Sequence, residues 1–296
     1  MGSLPELSVR LPDRDSGGPV TDVHGSLPPA GGPVLLLVHG YANSAAAARQ
    51  SWNEFLGHVA TVKIGGWMPQ HPTGVQWPGD EPIVGLNQLA YPEKIGVSRD
   101  SARRLDRYLR AFAPPGGPAL TLSIVGHSLG CRLVIELLEC LSQPPAHNVR
   151  VDRVVLMAAA VPTTTVDRQG AFRPGVAWAR GIEVLQSEGD DVLRIAFPIG
   201  ETAGGDGFFP TAVGRHGEPG STWLSVLQMG HAGVLYGHSD YWPGIESAAA
   251  AAAFLRIPVA AGVAPRATAA NALAGATIIP ARTVTGWTLP SRDLPD

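Results

Sequence analysis

Thr121-Leu-Ser-Ile-Val-Gly-His-Ser-Leu-Gly-Cys-Arg-Leu-Val-Ile-Glu-Leu-Leu138 reads as strand, tight turn and helix, in that order. Leu122, Ile124 and Val125 are strand formers, whereas Leu133, Val134, Leu137 and Leu138 recur at helical spacing. Between them, Gly126-His127-Ser128-Leu129-Gly130 matches G-x-S-x-G and puts Ser128 on the bend. A free serine hydroxyl is a poor nucleophile, so the chemistry needs it projected on a strained turn toward a base and an oxyanion site. Gly126 and Gly130 leave space where a Cβ would collide with the neighbouring strand or helix. A flexible loop that happens to contain serine is the plain alternative, and the strand before it and helix after it argue against that.

Upstream, Val34–Val38 is a continuous apolar run of strand length, suited to a central parallel strand covered on both faces. It runs into His39-Gly40-Tyr41-Ala42-Asn43-Ser44, where Asn43 or Ser44 can cap a helix over Ala45–His58 with Trp52, Phe55 and Leu56 inward. Such a His-Gly turn brings backbone N–H groups toward the serine. Before it, residues 1–32 hold one strand candidate, Leu7–Leu11, and a Gly- and Pro-rich linker. The loop-rich stretch Gly65–Pro82 carries Trp67, His71, Trp77 and Asp80, with a short strand at Val75–Trp77. A helix over Val97–Phe112 follows, whose arginines read as a solvated face.

Downstream, Arg153–Ala160 and Gly181–Glu188 read as further strands. The 20 residues from 161 to 180 offer room for only a small lid. The second of these strands ends in Gly189-Asp190-Asp191-Val192-Leu193, and an acid at the carboxyl end of a late parallel strand is where an α/β sheet collects active-site groups. Residues 200–221 are Gly-rich loop, Thr222–Met229 a possible last strand, and His231 and His238 follow. Alternating strands and helices predict an α/β fold: a mostly parallel central sheet with helices on both faces and a minimal lid. Ser128, Asp190 or Asp191, and His238 then all fall at one edge. They supply a hydroxyl, a carboxylate and an imidazole, the set that nucleophilic catalysis needs. His231 is the second candidate for the base.

On these residues the chain resembles the α/β-hydrolase family over roughly residues 33–243, and looks most like bacterial members whose substrate is unassigned. The likeness rests on Val34-Leu-Leu-Leu-Val-His-Gly40, Gly126-His-Ser-Leu-Gly130, and Asp190 and His238 in the order Ser, acid, His. It implies Ser128 as nucleophile, His238 as base, and the backbone N–H of Leu129 with that of Tyr41 or Ala42 as the oxyanion hole. Ser187-Glu-Gly-Asp190-Asp-Val-Leu193 resembles the family's Ser-x-x-Asp-x-Val-Leu loop, which selects Asp190 over Asp191 as the acid. The separation of 48 residues from acid to base is longer than a compact connection needs, so an insertion near 200–221 is expected to shape the pocket.

A chain of 296 residues suffices for one large α/β domain. The expected division is an N-terminal strand and linker (1–32), a hydrolase domain (33–245) and a weakly ordered Ala/Pro/Thr-rich tail (246–296), within which the Ala run 248–253 could extend a helix. A net charge of −3, with Lys63 and Lys94 the only lysines, speaks against a nucleic-acid partner. Cys131 and Cys140 lie nine apart on one predicted helix, too far to pair there, and no metal-ligand spacing appears. The N-terminus lacks the features of a signal peptide, and no apolar run approaches the roughly 20 residues of a membrane span, so a cytoplasmic protein is expected. The expected activity is hydrolysis of an ester or related acyl bond of a small molecule, with no cofactor. The competing reading is a non-catalytic hydrolase-like domain that binds a partner, marked by a His238 more than about 7 Å from Ser128, beyond catalytic reach.

Overall fold

The chain's apolar runs become seven strands of one sheet: β1 (Glu6–Ser8), β2 (Val34–Val38), β3 (Pro72–Gln76), β4 (Leu120–His127), β5 (Val149–Met157), β6 (Gly181–Gln186) and β7 (Ser225–Gln228). The computed structural model describes residues 4–10, 23–28, 33–62, 71–79, 91–205, 207–217, 223 and 225–256. The strand order is β1-β3-β2-β4-β5-β6-β7, and every pairing in this sheet is parallel. All five residues of β2 are buried, as are all six of β6, because helices cover both faces.

Side-chain alternation sorts the core into two layers. Leu36 and Val38 of β2, with Ile124 and Val154, pack under α2 (Tyr91–Phe112) and α3 (Leu129–Ser142), against Leu105, Leu109, Leu133 and Leu137. Leu35 and Leu37 face the other way, with Val125 and Val155, onto Trp52 and Phe55 of α1 (Ala45–Thr61). Ser44 caps α1 through its hydroxyl, which accepts from the Ala47 N–H at 3.2 Å. The second layer is completed by α8 (Ile245–Arg256), whose alanines 248–253 are all buried.

That helix changes the expected division of the chain. Residues 246–256, placed in a weakly ordered tail, form the buried helix α8, because a run of small side chains lets a backbone lie close over the sheet and α1. Residues 257–296 lie outside the described residues, as do Leu11, Trp67, Asp80 and most of the linker. The other differences are local. Helix α2 begins six residues earlier than the periodicity predicted, with Pro92 in its first turn, where a missing N–H costs nothing. Its arginines are not all solvated: Arg110 is only 13% exposed, pairs with Asp106, and donates to the Cys140 and Gln143 carbonyls at the end of α3.

The segment read as offering room for only a small lid packs along α3. Residues 161–180 hold two short helices, α4 (Thr163–Val166) and α5 (Arg173–Trp178), and the Gly175 N–H donates to Glu139 on the flank of α3. The wall beside the serine comes instead from a π-helical turn, Val192–Ala196, continuing into α6 (Phe197–Gly204). It is held from behind by Arg132 of α3, which lies 3.7 Å from Glu201 and 3.0 Å from Glu136, with all three side chains buried. After α7 (Val213–His216) and β7, a small antiparallel ladder of β8 (Gly230–His231) and β9 (Val234–Leu235) leads into the loop that carries His238.

Candidate active site

Strands β2 and β4 are neighbours, yet the chain leaves β2 over one face, through α1 to β3, and returns over the other, through α2 to β4. The crevice outside their carboxyl ends is therefore a topological switch point, the usual place for a ligand in such a sheet. Ser128 closes β4 there. Its φ of 54° and ψ of −129° form a conformation that costs a non-glycine residue about 1–3 kcal/mol. The bend is held by the Ser128 N–H donating to Met157 O at 2.9 Å and the Ala160 N–H donating to Ser128 O at 3.2 Å. Although Ser128 sits at the amino end of α3, its hydroxyl makes no capping bond there, which leaves it for other work. Of the two glycines, Gly130 has the stricter reason, since a Cβ would stand 2.2 Å from His39 O.

The Ser128 hydroxyl donates to His238 Nε2 at 2.8 Å, and His238 Nδ1–H donates to Asp190 Oδ2 at 2.7 Å. Asp190 is fully buried and its other oxygen, Oδ1, accepts from the Leu193 N–H at 2.9 Å. The carboxylate thus also caps the helical segment that follows it. Asp191, the alternative acid, faces away: it is 72% exposed and pairs with Arg194 at 2.9 Å. His231, the alternative base, is 71% exposed and bonds Glu246. Glu246 also accepts from the Tyr236 hydroxyl at 2.6 Å, so this cluster ties the start of α8 to the His238 loop.

The loop after β2 approaches the elbow closely, and a Cβ on Gly40 would lie 2.9 Å from Ser128 Cβ. Of the two alternatives read from sequence, Tyr41 or Ala42, the Ala42 N–H donates to Gly79 O at 2.8 Å. Tyr41 lines the cavity over Ser128, and Leu129 opens α3, where its N–H has no acceptor within the helix. Asn43 pins the loop by donating to Tyr41 O at 3.2 Å. His39 ties it to β3, with the Trp77 indole N–H donating to His39 O at 2.8 Å and the two rings stacked.

A cavity of about 440 Å³ opens over Ser128 and His238, walled by Tyr41, Ala160, Val192, Leu193, Ala196 and Phe197. Val192 of this wall is exposed, as are Ile195 and Ile199 on the same helical segment. A second hollow, about 620 Å³, lies at the opposite end of β5 between Arg150, Asp152, Trp178 and Arg180, and it holds no nucleophile with a base. Cys131, near the serine, is no rival to it, because burial keeps its thiol protonated. Among the described residues no three His, Cys, Asp or Glu side chains group as metal ligands, and no helix is long and apolar enough to cross a membrane.

Sequence reasoning missed three contributors. His127, within the elbow motif, bonds the His238 carbonyl; Asn43 holds the loop after β2; and Val192, Leu193, Ala196 and Phe197 wall the cavity, where an insertion near 200–221 was expected to shape it. The only available signal was the position of His127 between Gly126 and the serine.

The model of a family described as "Alpha/beta hydrolase of unknown function (DUF900)" matches residues 22–203, a span that includes Ser128 and Asp190 and stops short of His238. No curated protein matches the sequence. Among solved structures, a candidate hydrolase from Agrobacterium vitis S4 is similar at 13% identity and a TM-score of 0.41, over 76% of this chain and 87% of that one. The ydeN gene product of B. subtilis is similar at 15% identity and a TM-score of 0.31, over 60% and 82% of the two chains. Phospholipase PlaB from Legionella pneumophila is similar at 12% identity and a TM-score of 0.32, over 53% of this chain and 38% of that one.

Proposed function

The chain belongs to the α/β-hydrolase family DUF900, and from that premise we propose that it is a serine hydrolase that cleaves an ester or related acyl bond through an acyl-enzyme. The observation that carries the reading is the unbroken chain from Ser128 Oγ through His238 to Asp190, with bonds of 2.8 and 2.7 Å.

In this mechanism Ser128 Oγ attacks the substrate carbonyl carbon while its proton passes to His238 Nε2. Oxygen charge that develops on the carbonyl is met by the N–H groups of Leu129 and Tyr41. The bond to the leaving group breaks as His238 returns the proton to it. Water then repeats the sequence: it gives a proton to His238, its oxygen attacks the acyl carbon, and Ser128 leaves with that proton. Asp190 keeps His238 in the tautomer that can accept at Nε2 and stabilises the imidazolium.

The cavity suggests which side of the substrate is recognised. Its walls bring no Asp, Glu, Lys or Arg side chain, and Val192, Leu193, Ala196 and Phe197 are apolar. That lining favours an uncharged acyl group of short to medium length. A fluorophosphonate probe is expected to label the wild type, and Ser128→Ala to abolish labelling with an unchanged melting curve. Equal labelling of the variant would refute the nucleophile. A series of nitrophenyl esters of increasing chain length then reads the depth of the apolar wall.

A further inference from the structure

His127 ends β4 immediately before the serine and is buried. Its Nε2 lies 2.8 Å from the main-chain oxygen of His238. A carbonyl oxygen can only accept, so Nε2 carries the proton and Nδ1 is a bare lone pair. That Nδ1 is buried without a hydrogen-bond partner, and a Cβ on Gly40 would stand 2.9 Å from it. The ring packs beside His238, with centroids 5.2 Å apart, and touches Tyr241 and Trp242 farther along the same loop. Other ties of this loop reach its neighbours: Ser187 Oγ donates to Tyr236 O at 2.6 Å, and the Gly237 N–H donates to Asp240 at 2.7 Å. Among the described residues, the bond from His127 is the one made to the main chain of His238 itself.

Resting on the reading of Ser128, His238 and Asp190 as a triad, we propose that His127 is a positioning residue: one neutral ring that fixes the base loop through Nε2–H and presents a bare edge against which the Gly40 loop closes. Two loops separate in sequence are thereby set against the serine by a residue adjoining it. Protonation would add a hydrogen on the edge that faces Gly40 and a charge beside the base. Burial first, and the charge of His238 second, push the His127 imidazole down to about 3, against the opposing pull of its bond to the His238 carbonyl and of Asp190, with His39 adding a smaller downward push.

Two measurements test this on the full chain. Long-range proton–nitrogen NMR of the wild type is expected to find His127 as the Nε2–H tautomer, unchanged between about pH 8 and pH 5, a range well above its depressed pKa. An Nδ1–H tautomer, or titration within that range, overturns the proposal without reference to activity. In kinetics, His127→Gln keeps an amide N–H near the position of Nε2, whereas His127→Asn is one bond too short to reach the His238 carbonyl. His127→Asn is expected to lower kcat by about 10- to 100-fold with KM within about twofold, and His127→Gln to restore most of it. Equal losses in the two variants, or no loss in either, overturn the proposal; should His127→Asn fail to fold, the wild-type tautomer decides. Failure of the wild type to react with the fluorophosphonate would instead strike the triad reading, and the NMR result would still judge His127.

Discussion

Replacing Asp190 by Asn separates the catalytic duty proposed for this carboxylate from its structural one. Asp190 Oδ1 accepts from the Leu193 N–H and Oδ2 accepts from His238 Nδ1–H. An amide can satisfy only one of these donors. If its oxygen stays on Leu193, its NH2 faces His238 and forces the proton onto Nε2, where His238 cannot accept from Ser128. If it flips, its NH2 meets the Leu193 N–H and the cap is lost. The first arrangement keeps the fold, because Asn caps helices about as well as Asp. The catalytic loss then combines a charge-assisted hydrogen bond, about 1.5–3 kcal/mol, with the cost of holding the productive tautomer against a facing donor, about 1–3 kcal/mol. Together these predict a fall in kcat of about 10²- to 10⁴-fold, whose upper end is the scale seen for this exchange in Ser-His-Asp enzymes. Steady-state hydrolysis of a nitrophenyl ester measures it, with a thermal melt to verify the fold. Asp191→Asn, at an exposed position, serves as the control and should stay within about twofold. An Asp190→Asn variant that kept more than a tenth of the activity, or an Asp191→Asn variant that lost as much, would refute the assignment.

Three further outcomes follow from the packing. Gly130→Ala puts a Cβ 2.2 Å from the His39 carbonyl oxygen, so it should destabilise the protein by about 1–3 kcal/mol or more and lower the melting temperature by several degrees; an unchanged melt would contradict the geometry. Phe197→Ala enlarges the apolar wall, and each methylene newly accommodated is worth about 0.8 kcal/mol, roughly fourfold in kcat/KM, in favour of longer esters. An unchanged ratio of long- to short-chain rates would place the acyl group elsewhere. Glu183 of β6 is buried, accepts from the Ser225 hydroxyl, and is pushed up by burial from 4.5 to about 8. Between those values the folded state holds a proton that the unfolded chain has released, so stability falls as pH rises from about 4.5 to 8, by on the order of 1 kcal/mol per unit. Glu183→Gln should flatten that slope in urea melts at pH 5, 6.5 and 8, and a parallel slope in both proteins would count against the buried acid as its source.

Much of the fold was legible because it rests on local patterns. The run Val34–Val38 needs two covered faces wherever it sits, and β4 followed by α3 could be read from a change of periodicity around Gly126–Gly130. Ser128 was legible for the same reason, since a turn between strand and helix is set by residues adjacent in sequence. What depended on distant contacts was not. Residues 246–256 are compositionally plain, and they belong to the core only because the sheet and α1 leave a shallow apolar face that alanines can approach.

The division runs through the candidate site itself. By itself the sequence determined which chemical groups the chain carries and that strand ends would bring a serine, an acid and a histidine to one edge. Only the tertiary structure decided how neighbours of equal chemistry are oriented: Asp190 turned inward and Asp191 outward, the Ala42 N–H on Gly79, and His238 bonded to Ser128 while His231 is exposed. The physical reason is that hydrogen bonding depends on direction at the scale of an ångström, and successive residues entering a helical turn point about 100° apart. Composition and spacing do not record that rotation; it is set where the loops around Ser128 pack against one another.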